Sequence, residues 1–196
     1  MALDTKIIQQ LREMTGAGLA DCKVALDESG GDIPKAIEIL RKKGAVKAAK
    51  KTAERTAGEG LVGTYVHSNG KIGVLVKVLC ETDFVARNVE FQEFVHDLAL
   101  QIAATSPTYL KPEEVPTAEL EKEKEIYREQ LKIENKPADV VEKIIVGKLE
   151  KYYSDVCLLK QPFIKDDKIT VEQLVAQKIA TIGEKIEVVG FSRLAI

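Results

Sequence analysis

Near Gly58 the spacing of apolar residues changes from every third or fourth position to every second, and this change constrains the fold class more than any other feature. Before it, Leu3, Ile7, Leu11 and Met14 recur at intervals of four, four and three, which lines them along one helical stripe that must be buried. Thr15-Gly16-Ala17-Gly18 breaks that helix, and Leu19, Cys22 and Leu26 repeat the stripe over a second short one. Ser29-Gly30-Gly31 ends the second helix with residues that tolerate the left-handed C-terminal conformation. Asp32 is an N-cap for a third, in which Pro34 loses no hydrogen bond in the first turn and Ile33, Ile37 and Leu40 form the apolar face. A bundle this small has little core, which suits docking better than catalysis.

From Arg41 to Arg55 the chain turns basic. Arg41, Lys42, Lys43, Lys47, Lys50, Lys51 and Arg55 accompany one acid, Glu54, and Gly58 with Gly60 then marks a hinge. A hairpin follows: Leu61 to His67, the turn Ser68-Asn69-Gly70, and Lys71 to Cys80, with Asn-Gly supplying the positive φ angles of a tight turn. Ile72, Val74, Val76 and Val78 share one face, while Leu75 and Leu79 make the other apolar as well, so both faces need cover. Phe91, Phe94, Val95, Leu98 and Ile102 predict a long helix that stops at Ser106-Pro107. Tyr109-Leu110 suggests a short strand, Thr117 opens a charged helix to about Ile133, and Pro137 starts another. Thr170 to Gln173 reads as a capping box before a helix ended by Gly183, and Glu184 to Ile196 as a final strand. The expected architecture is α+β: a three-helix bundle and basic helix over residues 1–55, then a core over 56–196 with a small, mainly antiparallel sheet covered by helices.

Charge and composition narrow the function. The 196 residues carry 29 Lys plus Arg against 31 Asp plus Glu, a balance that excludes a globally basic nucleic-acid binder. No stretch of roughly 18 consecutive apolar residues is present to span a membrane, and Met-Ala-Leu-Asp lacks the charged and apolar regions of a signal peptide, so a cytoplasmic location is expected. Cys22, Cys80 and Cys157 are odd in number and far apart, and read as buried thiols rather than a disulfide framework or zinc site.

Chemical motifs are scarce. Gly58-Glu-Gly60-Leu-Val-Gly63 matches GxGxxG in letters, but a basic helix precedes it and a strand follows, the reverse of what a dinucleotide site requires. His67 and His96 fall in different elements, with no HExxH, serine elbow or P-loop, so neither metal, cofactor, catalytic triad nor direct nucleotide binding is expected. The basic segment has no interleaved aromatics for stacking on bases. It reads as a solvated helix face or as a surface for an acidic partner. Cys80-Glu-Thr-Asp-Phe-Val-Ala-Arg-Asn88 joins an apolar strand to the long helix. Thr82 or Asp83 can cap that helix, placing Phe84 in its first turn at a projecting tip. Alternatively Phe84, seven residues before Phe91, continues the core stripe.

Thr82-Asp83-Phe84-Val85-Ala86-Arg87-Asn88 resembles the signature of the elongation factor Ts family, exchange factors for elongation factor Tu. The stretch Leu11-Arg-Glu-Met-Thr-Gly-Ala-Gly-Leu-Ala-Asp-Cys-Lys-Val-Ala-Leu26 is similar to the family's N-terminal signature, and Cys157-Leu-Leu-Lys-Gln-Pro-Phe-Ile-Lys-Asp-Asp167 to its C-terminal run. Departures fall at Lys77 and Leu79, where members usually carry an acidic or amide residue and an Asn, and at Val24, usually polar.

The resemblance implies a ubiquitin-associated-like bundle, a basic linker helix and an α+β core in a short form that dimerises. It implies no enzymatic chemistry, no membrane and no nucleic acid, but promotion of GDP release from elongation factor Tu. Phe84 would wedge between helices of the GTPase's nucleotide domain while Asp83 disturbs the magnesium and phosphate environment, with Thr82, Val85 and Arg87 beside them. Arg12, Leu19, Ala20 and Lys51 would contact the partner through the N-terminal module. A different class of function also fits the residues alone: a non-catalytic adaptor binding an acidic protein or RNA through the bundle.

Overall fold

A computed structural model describes residues 5–133 and 137–196; Leu3 lies outside them. Among these residues the chain is α+β, with a three-stranded sheet in the order β1-β2-β5 and a two-stranded hairpin, β3-β4. Two compact units are present. Of the described residues, one comprises 5–62, 77–94 and 173–188, the other 63–76, 95–133, 137–172 and 189–196.

In the first unit, α1 (Thr5–Thr15), α2 (Leu19–Ser29) and the first half of α3 (Ile33–Glu54) close around Leu11, Cys22, Ala25, Leu26 and Ala36. Ile7 and Ile8 pack against this cluster, but Met14 is 59% exposed. The stripe therefore buries Leu11 and half-buries Ile7 and Ile8, and Met14 falls in the last turn before Gly16 reverses the chain at φ 66°. Gly30, at φ 65°, ends α2, and the Asp32 side chain accepts from Lys35 N to begin α3. The basic segment, expected as a separate linker helix, is the second half of α3, one uninterrupted helix of 22 residues. No proline or glycine pair interrupts it, and Gly44 faces Ala180, 3.4 Å from where its Cβ would lie.

β1 (Glu59–Val66) and β2 (Ile72–Cys80) form the predicted hairpin. His67 N donates to Ile72 O, Gly70 N to His67 O, and Gly70 takes φ 67°. Gly60 is not a loose hinge. At φ 143° its Cβ would lie 2.2 Å from Val78 O, so the strands approach where only glycine fits. Val74, Val76 and Val78 are buried while Leu75 is 51% exposed. Within the chain, then, the strand is covered on one face.

In the second unit, Gly63 admits the next layer: a Cβ there would stand 2.4 Å from Val95 Cγ1. Val95 belongs to α5 (Val89–Thr105), whose Phe91, Phe94, Leu98 and Ile102 are all buried as the spacing predicted. Tyr109 makes an isolated bridge to Cys157 instead of a strand. α6 (Thr117–Ile133) and α7 (Ala138–Val156) follow, and Glu119 accepts the hydroxyls of Tyr109 and Tyr152. Those bonds hold the Glu119 carboxyl below its ordinary range and push Tyr152, which burial already raises, well up. The hairpin of β3 (Pro162–Phe163) and β4 (Asp166–Thr170) was not anticipated. A buried relay of Gln101 Nε2 to Gln161 Oε1 and Pro162 O holds it.

After α8 (Val171–Ile182), Gly183 at φ 91° turns the chain into β5 (Glu187–Ala195). β5 runs against β2: Lys185 N meets the Glu81 carboxylate at one end and Ile196 N donates to Lys71 O at the other. All three cysteines are free and buried, and burial pushes the Cys157 thiol up to about 11.

Replacing Gly60 by Ala combines a strained φ with a collision against strand backbone. The variant should lose at least about 2 kcal/mol in urea unfolding. Gly58→Ala, where a Cβ meets nothing within 4 Å, should stay within about 0.5 kcal/mol of the wild type.

Candidate functional site: an exposed tip at the end of β2

Thr82 leaves β2 in extended conformation and its Oγ1 accepts from Val85 N at 3.4 Å. The helix it caps is a separate single turn, α4 (Asp83–Ala86), rather than the start of the long helix. Asn88 explains the division. Its backbone N donates to Val85 O, closing α4, while its Oδ1 accepts from Glu90 N at 2.8 Å and begins α5. An Asn capable of capping two positions before Glu90 was the overlooked signal.

No residue of α4 is buried, and Phe84 is 81% exposed. It therefore does not continue the Phe91 stripe. A turn of Arg87 and Asn88 resets the phase between the two helices, so a spacing of seven does not put both rings on one face. Val85 is half-buried beside it. Asp83 and Arg87 form an exposed ion pair at 3.1 Å, which contributes little to stability.

The base of the tip is held from far along the chain. Glu184 Oε2 accepts from Glu81 N at 3.0 Å and Thr82 N at 3.1 Å, and its Oε1 accepts the Thr82 hydroxyl at 2.7 Å. Glu81 reciprocates by accepting from Lys185 N at 2.6 Å, and Arg55 Nη1 lies 3.2 Å from the same oxygen. The Lys185 N–H, with help from Arg55, draws the Glu81 carboxyl below its ordinary range. Below these bonds the Cys80 thiol donates to Thr82 O, and burial together with the Glu184 charge raises its pKa. Glu81, Glu184 and Lys185 escaped the sequence reading because nothing local links residues about a hundred positions apart.

Arg12, Leu19 and Ala20 lie exposed around the turn between α1 and α2, with Leu19 at 50%. Thr82 to Arg87 are gathered on the tip itself. Lys51 joins neither group. Its ammonium donates to Gly183 O at 2.6 Å at the C-terminal end of α8, and desolvation, with Arg55 nearby, lowers its pKa. Lys77 is exposed, Leu79 is half-buried, and Val24 is 46% exposed.

Other candidates have plain surroundings. GxGxxG enters β1 with no helix after it. His67 Nδ1 pairs with the Tyr65 hydroxyl at 3.0 Å, and the His96 ring stands edge-on to Tyr65. Among the described residues no cluster of three or more His, Cys, Asp or Glu is placed to hold a metal, and no helix is long and apolar enough to cross a membrane.

Residues 31–196 match the family model described as Elongation factor TS. The chain is 56% identical over all of its length, and 99% of the other's, to Elongation factor Ts of Fervidobacterium nodosum. It is 55% identical to that of Thermotoga petrophila, covering all of this chain and 97% of the relative. The protein from Nitratidesulfovibrio vulgaris is 50% identical, again over the whole chain and 98% of the relative. An α+β chain with these relatives is a translation elongation factor, a component of protein biosynthesis. It belongs to the elongation factor Ts family.

Proposed function

We propose that the chain promotes GDP release from elongation factor Tu in the cytoplasm, by binding its nucleotide-free state and displacing magnesium and nucleotide. The observation that carries this is the 81% exposure of Phe84 on a turn whose base is bonded from both ends. A solvent-facing phenyl ring on a fixed support is unfavourable in the free protein unless a pocket awaits it. Burying it is worth about 1.5–3 kcal/mol, enough to favour a partner conformation in which helices are parted. Asp83 stands beside it to repel phosphate and compete for the magnesium environment, flanked by Thr82, Val85 and Arg87. No covalent chemistry or cofactor of the chain's own is needed. A protein that binds best to the empty GTPase weakens GDP by the same factor that GDP weakens it.

Residues 1–55 serve as the docking module in this scheme, with Arg12, Leu19 and Ala20 offered at the first interhelical turn. Lys51 acts from behind, through its bond to Gly183 O. Ion pairs within the chain weigh against the adaptor alternative. Lys43 pairs with Glu28 at 2.5 Å, Lys47 with Asp21 at 2.8 Å and Lys42 with Glu38 at 2.8 Å, which occupies much of the basic face within the chain.

A second copy is proposed to cover the open face of the sheet. Val66, Leu75 and Leu194 are 68%, 51% and 76% exposed, apolar surface on the sheet's strands that one helical layer leaves uncovered.

Phe84→Ala should lower the maximal rate of labelled-GDP release from elongation factor Tu while leaving this protein's melting temperature unchanged; Asp83→Ala should do so more weakly. An unaltered release rate for Phe84→Ala would remove the wedge. Arg12→Ala or Leu19→Asp should weaken association by about 1–3 kcal/mol in calorimetry, with circular dichroism unchanged. Sedimentation equilibrium should give about twice 21.6 kDa, with or without reductant, and a monomer at micromolar concentration would contradict the covered face.

A further inference from the structure

The turn that carries Phe84 cannot hold its own direction. α4 has four residues, none buried, and a single helical turn is not stable by itself. Val85 and Ala86 are only half-buried beneath it, so the bonds at its base do most to set its orientation, and Glu184 supplies three of these to two consecutive residues.

Their chemistry is directional. A carboxylate only accepts, so the Thr82 hydroxyl must give it its single proton, which leaves the lone pairs of Oγ1 to receive Val85 N–H and start α4. The same carboxylate fixes the Glu81 and Thr82 amides. Their bonds to a charged acceptor are stronger than ordinary amide bonds. Glu184 itself lies between α8 and β5, outside the tip, and its neighbour Lys185 is tied back to Glu81 and to Arg55 O.

We infer that Glu184 is a positioning residue for exchange: its carboxylate sets the direction in which α4 presents Asp83 and Phe84. This rests on the reading that Phe84 drives nucleotide release. In Glu184→Ala the tip would still exist but point in many directions, and its encounter with the partner would seldom be productive. Glu184→Gln keeps the shape and an oxygen for the two amides. Its amide nitrogen would instead donate to Thr82 Oγ1, so the hydroxyl loses the acceptor that held its proton away from Val85 N–H.

The test measures labelled-GDP release from elongation factor Tu against concentration of the full chain, for Glu184→Ala, Glu184→Gln, Phe84→Ala and the double variant Phe84→Ala/Glu184→Ala. The melting temperature of each is measured alongside. Glu184→Ala should lower the maximal rate about tenfold, the scale on which misplacing an oriented group acts, with the half-saturating concentration unchanged. Glu184→Gln should recover part of that loss. Adding Glu184→Ala to Phe84→Ala should cost nothing more, since a tip without its ring has nothing left to aim. Hydrogen exchange at the Glu81 and Thr82 amides should accelerate in Glu184→Ala without the partner present.

Several results would overturn the inference. If Phe84→Ala slows release while Glu184→Ala does not, the wedge stands and the positioning role falls. Equal losses from Glu184→Ala with and without Phe84 would mean that it acts elsewhere. Normal release by Phe84→Ala would remove both. If Glu184→Ala melts below the assay temperature, Glu184→Gln decides: release that falls with the amide protection of Glu81 and Thr82 supports the role, and wild-type release despite lost protection overturns it.

Discussion

Two carboxylates crossing between the end of β2 and the start of β5 organise the tip that carries Phe84. Glu184 takes the amides of Glu81 and Thr82 while Glu81 takes the amide of Lys185. Each acid neutralises backbone groups on the other's strand, where a sheet edge gives way to loop and the regular ladder stops. Closing a loop of about a hundred residues costs only slowly increasing entropy, so a few charge-assisted bonds suffice to join distant segments. Arg55 and Lys51 extend the junction to the end of α3 and the last turn of α8. Gly60 admits β1 to within backbone contact of Val78 in the same unit.

Much of this architecture was legible because it rests on local rules. Period-two alternation located β2, Asn69-Gly70 located its turn, and three-four spacing located α5, since burial of one face enforces each pattern. Asp32, Gly30 and Gly183 acted at helix ends as their chemistry dictates. The misplaced features share another cause. The basic helix was expected as an element of its own but continues α3, because Lys and Ala favour helix and nothing between Leu40 and Arg41 breaks it. The β3-β4 hairpin has too few residues to show alternation, and it depends on Gln101 reaching Gln161 and Pro162 across about sixty positions. The site divides likewise. Thr82 as a cap was visible in six consecutive letters, whereas Glu184 was visible only as the first residue of a strand.

The basic helix is partly charge-balanced within the chain. Seven cations in fifteen residues invite an acidic ligand, yet Asp21 and Glu28 on α2 already meet Lys47 and Lys43. Exposed pairs of this kind add little stability, but they lower the net field that the helix projects. A surface whose charges are locally balanced depends less on salt than the bare sequence suggests.

The single ring on α4 also sets an energetic ceiling. On the proposed mechanism Phe84 contributes about 1.5–3 kcal/mol on burial, and since each 1.4 kcal/mol is a factor of ten, it can loosen nucleotide by roughly 10- to 150-fold. Any larger loosening must be shared with Asp83 and with the surface around Leu19. The same limit works in the reverse direction: returning nucleotide has only that modest advantage to overcome at the ring. A wedge of this size is therefore well matched to a factor that must leave its partner after every cycle rather than trap it empty.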